Sequence, residues 1–140
     1  MHMYGTMQIG KMLALKRGID PELTAITCTF HDIYTLLEGK GRDHALKAEK
    51  YIQQIIAEYN NKWRQELPKI TSDELTRIVE AIKIHSVKKT ISPDPLIELL
   101  KDVDTLDSYL HGFSRDNSSG RITRGNNVLN EFNLTHKIIE

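Results

Sequence analysis

The chain has 140 residues, of which 19 are Lys or Arg and 19 are Asp or Glu, so its formal net charge at pH 7 is zero. This length favours one domain with a substantial core, and the balanced charge does not indicate a nucleic-acid polymer or a membrane surface as partner. The single cysteine, Cys28, lies in an apolar segment and is interpreted as a small core residue, which is typical of a reducing compartment. The sequence has no bilayer-spanning apolar run and no signal-peptide pattern. We therefore expect a cytoplasmic protein.

Helical signals begin near the N-terminus. A loose apolar face ends at Arg17 and Gly18, a basic last turn followed by a glycine stop, and predicts a first helix. Asp20 stands where an N-cap belongs and Pro21 where a first helical residue is tolerated, so a second helix should run from Pro21 to about His31. Apolar residues at helical spacing then predict a long third helix, namely Ala45, Ala48, Ile52, Ile55, Ile56 and Tyr59.

Two further helices begin at capping signals. Thr71 and Glu74 have the spacing of a capping box and precede an apolar stripe. Asp94 and Pro95 repeat the N-cap and first-residue pattern, and this helix should run to about Leu110.

The end of the chain is different in composition. From Gly112 it is rich in Gly, Asn, Ser and Arg, with at most a short helix near Asn126 to Phe132. Strand patterning is nearly absent from the whole sequence, so the predicted fold class is all-α. We expect a helical domain over residues 1–112 and a polar extension, residues 113–140, that packs on the same domain.

Two polar residues interrupt apolar helix faces. His85 lies three residues beyond Ile82, and Asp104 lies four residues beyond Leu100, so both side chains should point inward. A buried imidazole or carboxylate must be hydrogen-bonded, paired with an opposite charge or bound to a metal. Each residue alone is more often a satisfied core residue than a ligand, and the argument for a site depends on their joint occurrence.

The dipeptide His31-Asp32 adds a candidate pair of metal ligands. Adjacent residues on a helix are separated by about 100° around its axis, but a metal beyond the last turn can bind both side chains. Imidazole nitrogen with carboxylate oxygen suits Mn, Fe, Co, Ni or Zn, whereas the lone Cys28 excludes a site built from several thiolates.

The order of these residues resembles a known family. His2, the "HD" at His31-Asp32 and Asp104 within "KDVDTLD" follow the H…HD…D signature of the HD-domain superfamily of metal-dependent phosphohydrolases. The segments "GIDPELTAITCTFHDI", "GKGRDHALKAEKYI", "IVEAIKIHSVKK" and "LIELLKDVDTLDSYLHG" are similar to successive helices of that family. The resemblance covers about residues 1–112 and implies a compact HD-domain bundle of about five to six helices.

The resemblance also implies a set of metal ligands. One divalent ion would be bound by four residues, His2, His31, Asp32 and Asp104. In members with two ions, histidines at the positions of His44 and His85 help to hold the second, with Asp32 as a bridge, so that one ion and two ions both stay open. His2 departs from the pattern because most members have a helix before this histidine.

The implied activity is hydrolysis of a phosphomonoester or phosphoanhydride by a metal-activated water. The substrate would be a nucleotide or another small phosphorylated metabolite. The candidate catalytic residues are Asp32, His44 and His85. Asp32, or Asp43 or Asp107 from outside the ligand set, would accept the proton of the water, although Asp107 is interpreted first as a surface carboxylate.

Basic residues would bind the substrate phosphates. Lys40 and Arg42 in the loop after the "HD" segment, and Lys88 after His85, are the candidates. Three arginines of the polar extension are interpreted as surface charges, namely Arg115, Arg121 and Arg124.

Other classes of function stay open. Some relatives hold a di-iron centre with the same ligand types and oxidise their substrates, so an HD-domain oxygenase is one alternative. A second alternative is a metal-binding regulatory module without catalysis. A third is a helical interaction protein without metal. We expect a small phosphorylated molecule as partner, with no membrane and no nucleic-acid polymer, and a homodimer stays open. No residue selects one substrate.

Overall fold

The computed structural model describes residues 2–39, 43–62, 66–112 and 120–138, and all regular secondary structure in these ranges is helical. The helices are α1 (His2–Arg17), α2 (Pro21–Phe30), α3 (Ile33–Glu38), α4 (His44–Lys47), α5 (Glu49–Asn61), α6 (Ser72–Ile84), α7 (Pro95–Leu110) and α8 (Arg121–Glu131). Six of these eight have ten or more residues. The predicted all-α bundle of five to six helices is confirmed. Within the described ranges, no helix is both long enough and apolar enough to cross a membrane.

Side-chain caps fix where three of the helices begin. Asp20 Oδ1 accepts hydrogen bonds from two backbone N–H groups in the first turn of α2, at 2.8 and 3.1 Å. Asp94 accepts one from the first turn of α7, and Thr71 and Glu74 form a reciprocal capping box at α6. All three predicted starts are confirmed, because each cap satisfies N–H groups that have no partner inside the helix.

The predicted third helix is divided in two. α4 and α5 are separate elements that meet at Ala48, which keeps right-handed helical angles (φ −65°, ψ −28°). The carbonyl of Ala48 accepts bonds from the N–H groups of both Tyr51 and Ile52, at 3.0 and 3.1 Å. The division is therefore a local change in hydrogen bonding, which apolar spacing alone does not predict. The short helix α3 was not predicted, and α2 ends at Phe30.

Helix α7 lies at the centre of the bundle and contacts α1, α2, α6 and α8. Eleven of its 16 residues are buried, including Lys101, Asp102, Asp104 and Asp107. A helix that is enclosed on so many sides must provide partners for each buried charge. The partners of its carboxylates build the site described below.

Two glycines allow α1 to approach its neighbours closely. A Cβ at Gly10 would lie 2.7 Å from Sγ of Cys28 on α2, and a Cβ at Gly5 would overlap the carboxylate of Asp107 on α7. Cys28 is fully buried, and this burial raises the pKa of its thiol to about 12. The interpretation of Cys28 as a core residue is confirmed.

Candidate metal centre

The predicted ligands come from three parts of the bundle that meet at one end of α7. His2 is the first residue of α1, and Asp104 lies within α7. His31 and Asp32 form the turn between α2 and α3, where Asp32 leaves helical geometry with φ −111° and ψ 21°. Because the chain turns here, His31 faces His2 on α1 and Asp104 on α7, and Asp32 faces His44 and His85.

Three of the four predicted ligands, His2, His31 and Asp104, form one cluster, and His31 also belongs to a second cluster with Asp32 and His85. His2 Nε2 is 3.0 Å from Asp104 Oδ1 and 3.2 Å from His31 Nε2. His31 Nε2 is 3.6 Å from Asp104 Oδ1 and 3.7 Å from Asp32 Oδ2. These atoms form the kind of cluster of imidazole nitrogens and carboxylate oxygens that could hold a metal ion. The structure thus brings together residues that are about a hundred positions apart in the chain.

The hydrogen bonds of the histidines direct lone pairs at this point. His31 Nδ1–H donates to the carbonyl of Cys28 at 2.7 Å, and a carbonyl can only accept, so the neutral ring has its lone pair on Nε2. His2 Nδ1–H donates to the Asp107 carboxylate. When both rings are neutral, the two Nε2 atoms and Asp104 Oδ1 are acceptors that face each other, and the Ser108 hydroxyl is a distant donor to that oxygen, at 3.5 Å. A cation satisfies all of them, so the donor set fits a divalent metal.

Asp107 is buried and is not the surface carboxylate that the sequence suggested. Its side chain is 2% exposed, and its carboxylate accepts a hydrogen bond from His2 Nδ1, while His111 Nδ1 lies 3.2 Å from the carboxylate and bonds to the Asp107 backbone carbonyl at 3.0 Å. A carboxylate that accepts from the distal nitrogen of a ligand histidine fixes the orientation of the ring and increases its basicity. Gly5 provides the space for this carboxylate.

His44 and His85 lie on the other side of Asp32. His44 Nε2 is 3.4 Å and His85 Nε2 is 3.8 Å from Asp32 Oδ1. His85 Nδ1–H donates to the carbonyl of Ile82 at 2.6 Å, so its Nε2 lone pair also faces the site. Burial, together with the nearby positive charges, lowers the pKa of His85 to about 3. The other four predicted ligands therefore lie next to Asp32, Asp104 or both. This arrangement suits one ion or two.

Lys88 has a different place from the one expected. It was expected near the mouth of the site, but it is 3% exposed, and its ammonium group donates to Asp104 Oδ2 and, at 3.3 Å, to the carbonyl of Lys101. Burial lowers the pKa of Lys88, and Asp104 opposes this shift. Burial of Asp104 disfavours its ionised form, but the charge of Lys88 and the neighbouring imidazoles of His2 and His31 hold its pKa well below the ordinary value. Asp104 is therefore a carboxylate at neutral pH.

An open cleft of about 420 Å³ gives access to these groups. It is lined by His2, Asp32, His44, His85, Ser86, Asp104, Ser108 and Arg121. Ser86 Oγ is 3.3 Å from the Nε2 atoms of both His44 and His85. Asp43 is exposed and is not one of the described residues that line the cleft. Lys40 and Arg42 lie outside the described residues.

A family comparison agrees with this geometry. Residues 1–110 match the family model for the HD domain. The chain belongs to the HD-domain family. No curated protein and no solved structure gave a match. HD domains bind divalent metals and are generally hydrolases of the metal-dependent phosphohydrolase superfamily, and the His and Asp clusters of this chain could hold such an ion.

Sequence reasoning missed two residues that shape this HD-domain site. Arg121 was interpreted as a surface charge, but it lines the cleft. Gly5 was not considered, although only a residue without a side chain admits Asp107 beneath His2. The single available signal was the spacing of Asp107, three residues after Asp104, which puts both carboxylates near one face of α7.

Proposed function

We propose that this protein is a metal-dependent phosphohydrolase that releases phosphate from a nucleotide or another small phosphorylated metabolite. The observation that carries the proposal is the meeting of the His2 and His31 Nε2 atoms with the Asp104 carboxylate, next to Asp32, at an open cleft. This donor set is suited to a divalent ion of the Mn to Zn series. Phosphate ester hydrolysis needs such an ion together with groups that accept and donate protons.

When bound, a divalent ion supplies Lewis-acid polarisation and lowers the pKa of water toward neutrality. The residues of the chain hold and move the protons. Asp32 is the proposed acceptor for the proton of the attacking water, because its Oδ1 faces the cleft between His44 and His85. Its side chain is 27% exposed, which leaves the carboxylate accessible to solvent.

The two remaining histidines have different proposed roles. With its pKa lowered to about 3, His85 stays neutral at physiological pH and does not serve as a proton donor, so its proposed role is that of a ligand or hydrogen-bond acceptor. His44 has a side chain that is 30% exposed and lies within reach of Asp32, and it is the proposed group for protonating the leaving oxygen.

The test combines metal analysis with an activity screen. Protein purified without chelator is analysed for Mn, Fe, Co, Ni and Zn, and phosphate release is measured with nucleoside mono-, di- and triphosphates and with simple phosphomonoesters. We expect release that is abolished by chelation, restored by one of these metals and lost in the double variant His31→Ala/Asp32→Ala. The control, Asp73→Asn, changes an exposed carboxylate on α6 and should keep wild-type activity.

Three outcomes would contradict the proposal. A folded, metal-loaded protein that releases no phosphate from any substrate would remove its basis. So would a double variant that has lost its metal but keeps full activity. Iron content with turnover that requires O₂ would favour the oxygenase, since the same six donors suit a di-iron centre.

A further inference from the structure

Helix α8 lies beyond the part of the chain that matches the HD family model, yet it packs on α7, the helix that carries Asp104. Arg124 on α8 is the main anchor. Its guanidinium bonds to Asp102 Oδ1 at 2.7 Å and to Glu98 Oε2 at 2.8 Å on α7, and its Nε–H donates to the carbonyl of Lys88 at 2.9 Å. The first turn of α8 is thereby held to both α7 and the turn that carries Lys88.

Apolar packing fixes the rotation of α8 about its axis. Ile122, Val128 and Leu129 are buried, and Asn126 exchanges two hydrogen bonds with the backbone of Ile138, at 2.6 and 3.2 Å. With this face turned inward and Arg124 held by α7, Arg121 is placed one helical turn earlier and lines the cleft.

Arg121 differs from the neighbouring cations Lys88, Arg124 and Arg17 because it forms no ion pair with a carboxylate of the described residues. Lys88 is bound to Asp104, Arg124 to Asp102 and Glu98, and Arg17 to Asp102 and Glu131. Among the residues that the structure describes, none forms a hydrogen bond or ion pair with the Arg121 guanidinium. It is also the one basic side chain among the described residues that line the cleft, beside three histidines.

The charge of the cleft explains what such a group can do. Asp32 and Asp104 offset part of the charge of a divalent ion, so a further cation in the cleft would add to the attraction for an incoming phosphate dianion. A guanidinium has planar donors that match two phosphate oxygens at once. Ser86 and Ser108, on the same cleft wall, add hydroxyl donors.

We propose that Arg121 binds the terminal, dianionic phosphoryl group of the substrate, so that the preferred substrates are phosphomonoesters and terminal phosphates rather than phosphodiesters. This inference rests on the proposed phosphohydrolase function and narrows its substrate class. It assigns a binding role to helix α8, which the family match does not include.

The experiment compares Arg121→Gln and Arg121→Lys with Arg77→Gln, which removes the same charge from a partly exposed position on α6. Binding of inorganic phosphate to the metal-loaded protein is measured by titration calorimetry, and KM and kcat are measured for a phosphomonoester and a phosphodiester. A hydrogen bond to a charged group contributes about 1.5–3 kcal/mol. We therefore expect phosphate affinity and KM to worsen roughly ten- to a hundredfold in Arg121→Gln, with partial recovery in Arg121→Lys.

Several results would overturn the inference. Unchanged phosphate affinity in Arg121→Gln would do so. An equal loss of affinity in Arg77→Gln would show that the effect is not specific to Arg121. A loss of bound metal in the Arg121 variants would show that Arg121 has a structural role. A wild-type protein that does not bind phosphate would also overturn it. If the wild type binds phosphate through Arg121 but hydrolyses no ester, the inference about binding stands while the proposed hydrolase function fails.

Discussion

Replacement of Asp107 by Asn should weaken metal binding without unfolding the protein. The carboxylate of Asp107 is almost completely buried and accepts a hydrogen bond from His2 Nδ1, and His111 Nδ1 lies 3.2 Å from the same oxygen. Asn has nearly the same shape, so no cavity forms, and its amide oxygen can still accept from His2, but it lacks the negative charge that increases the basicity of the ring. Changes of this kind beside a ligand histidine typically reduce metal affinity by about 10–100-fold. This corresponds to about 1.4–2.7 kcal/mol of binding free energy.

Equilibrium dialysis with Mn²⁺ and Co²⁺ at pH 7.5 would measure this change directly. The absorption spectrum of bound Co²⁺ would report whether the geometry of the site is altered. Asp73→Asn is the matched control, because it makes the same chemical change at an exposed position and should leave the affinity unchanged. If Asp107→Asn is folded and binds metal as tightly as the wild type, with the same Co²⁺ spectrum, then the reasoning that Asp107 orients His2 is wrong.

Two other predictions concern His2 and its neighbour Asp107. Gly5→Ala should destabilise the fold by about 1–3 kcal/mol and weaken metal binding, because its Cβ would overlap the Asp107 carboxylate. Thermal unfolding and dialysis would check this, and in a double variant with Asp107→Asn the losses in metal affinity should be less than additive. Metal affinity should also fall as the pH is lowered from about 8 to 5. The hydrogen bond to Asp104 raises the pKa of His2, so protons compete with the metal from a pH above 6.5. An affinity that is constant over this range would contradict His2 as a ligand.

Much of the fold could be predicted from local sequence signals. The caps at Asp20, Thr71 and Asp94 act within one helical turn, so the sequence around each of them is sufficient to predict the start of a helix. Apolar periodicity likewise predicted that His85 and Asp104 would be buried. The division of the third helix at Ala48 was missed because Ala48 keeps helical backbone angles and carries no local stop signal.

The candidate site could be predicted in part. Its ligand types and their order follow from the HD signature, and the structure places five of the six residues on one cleft with the buried His31 directly behind them, although their roles stay predictions. The wrong interpretations concern Lys88, Asp107 and Arg121. Each was judged as an isolated charge on its own segment, where a polar side chain is more often exposed than buried.

The sequence by itself determined most of the longer helices, three of their caps and the set of groups able to bind a metal, because these depend on neighbours within one or two turns or on a signature in chain order. Only the tertiary structure decided how those groups are supported. The contact between His2 and Asp107 joins residues 105 positions apart, and it exists because Gly5 lets α1 approach α7 closely. The place of Arg121 depends on the rotation of α8, which Arg124 and the buried residues of that helix fix against α7. Distances and rotations between packed helices arise from complementary surfaces of the whole bundle, and no single segment contains them.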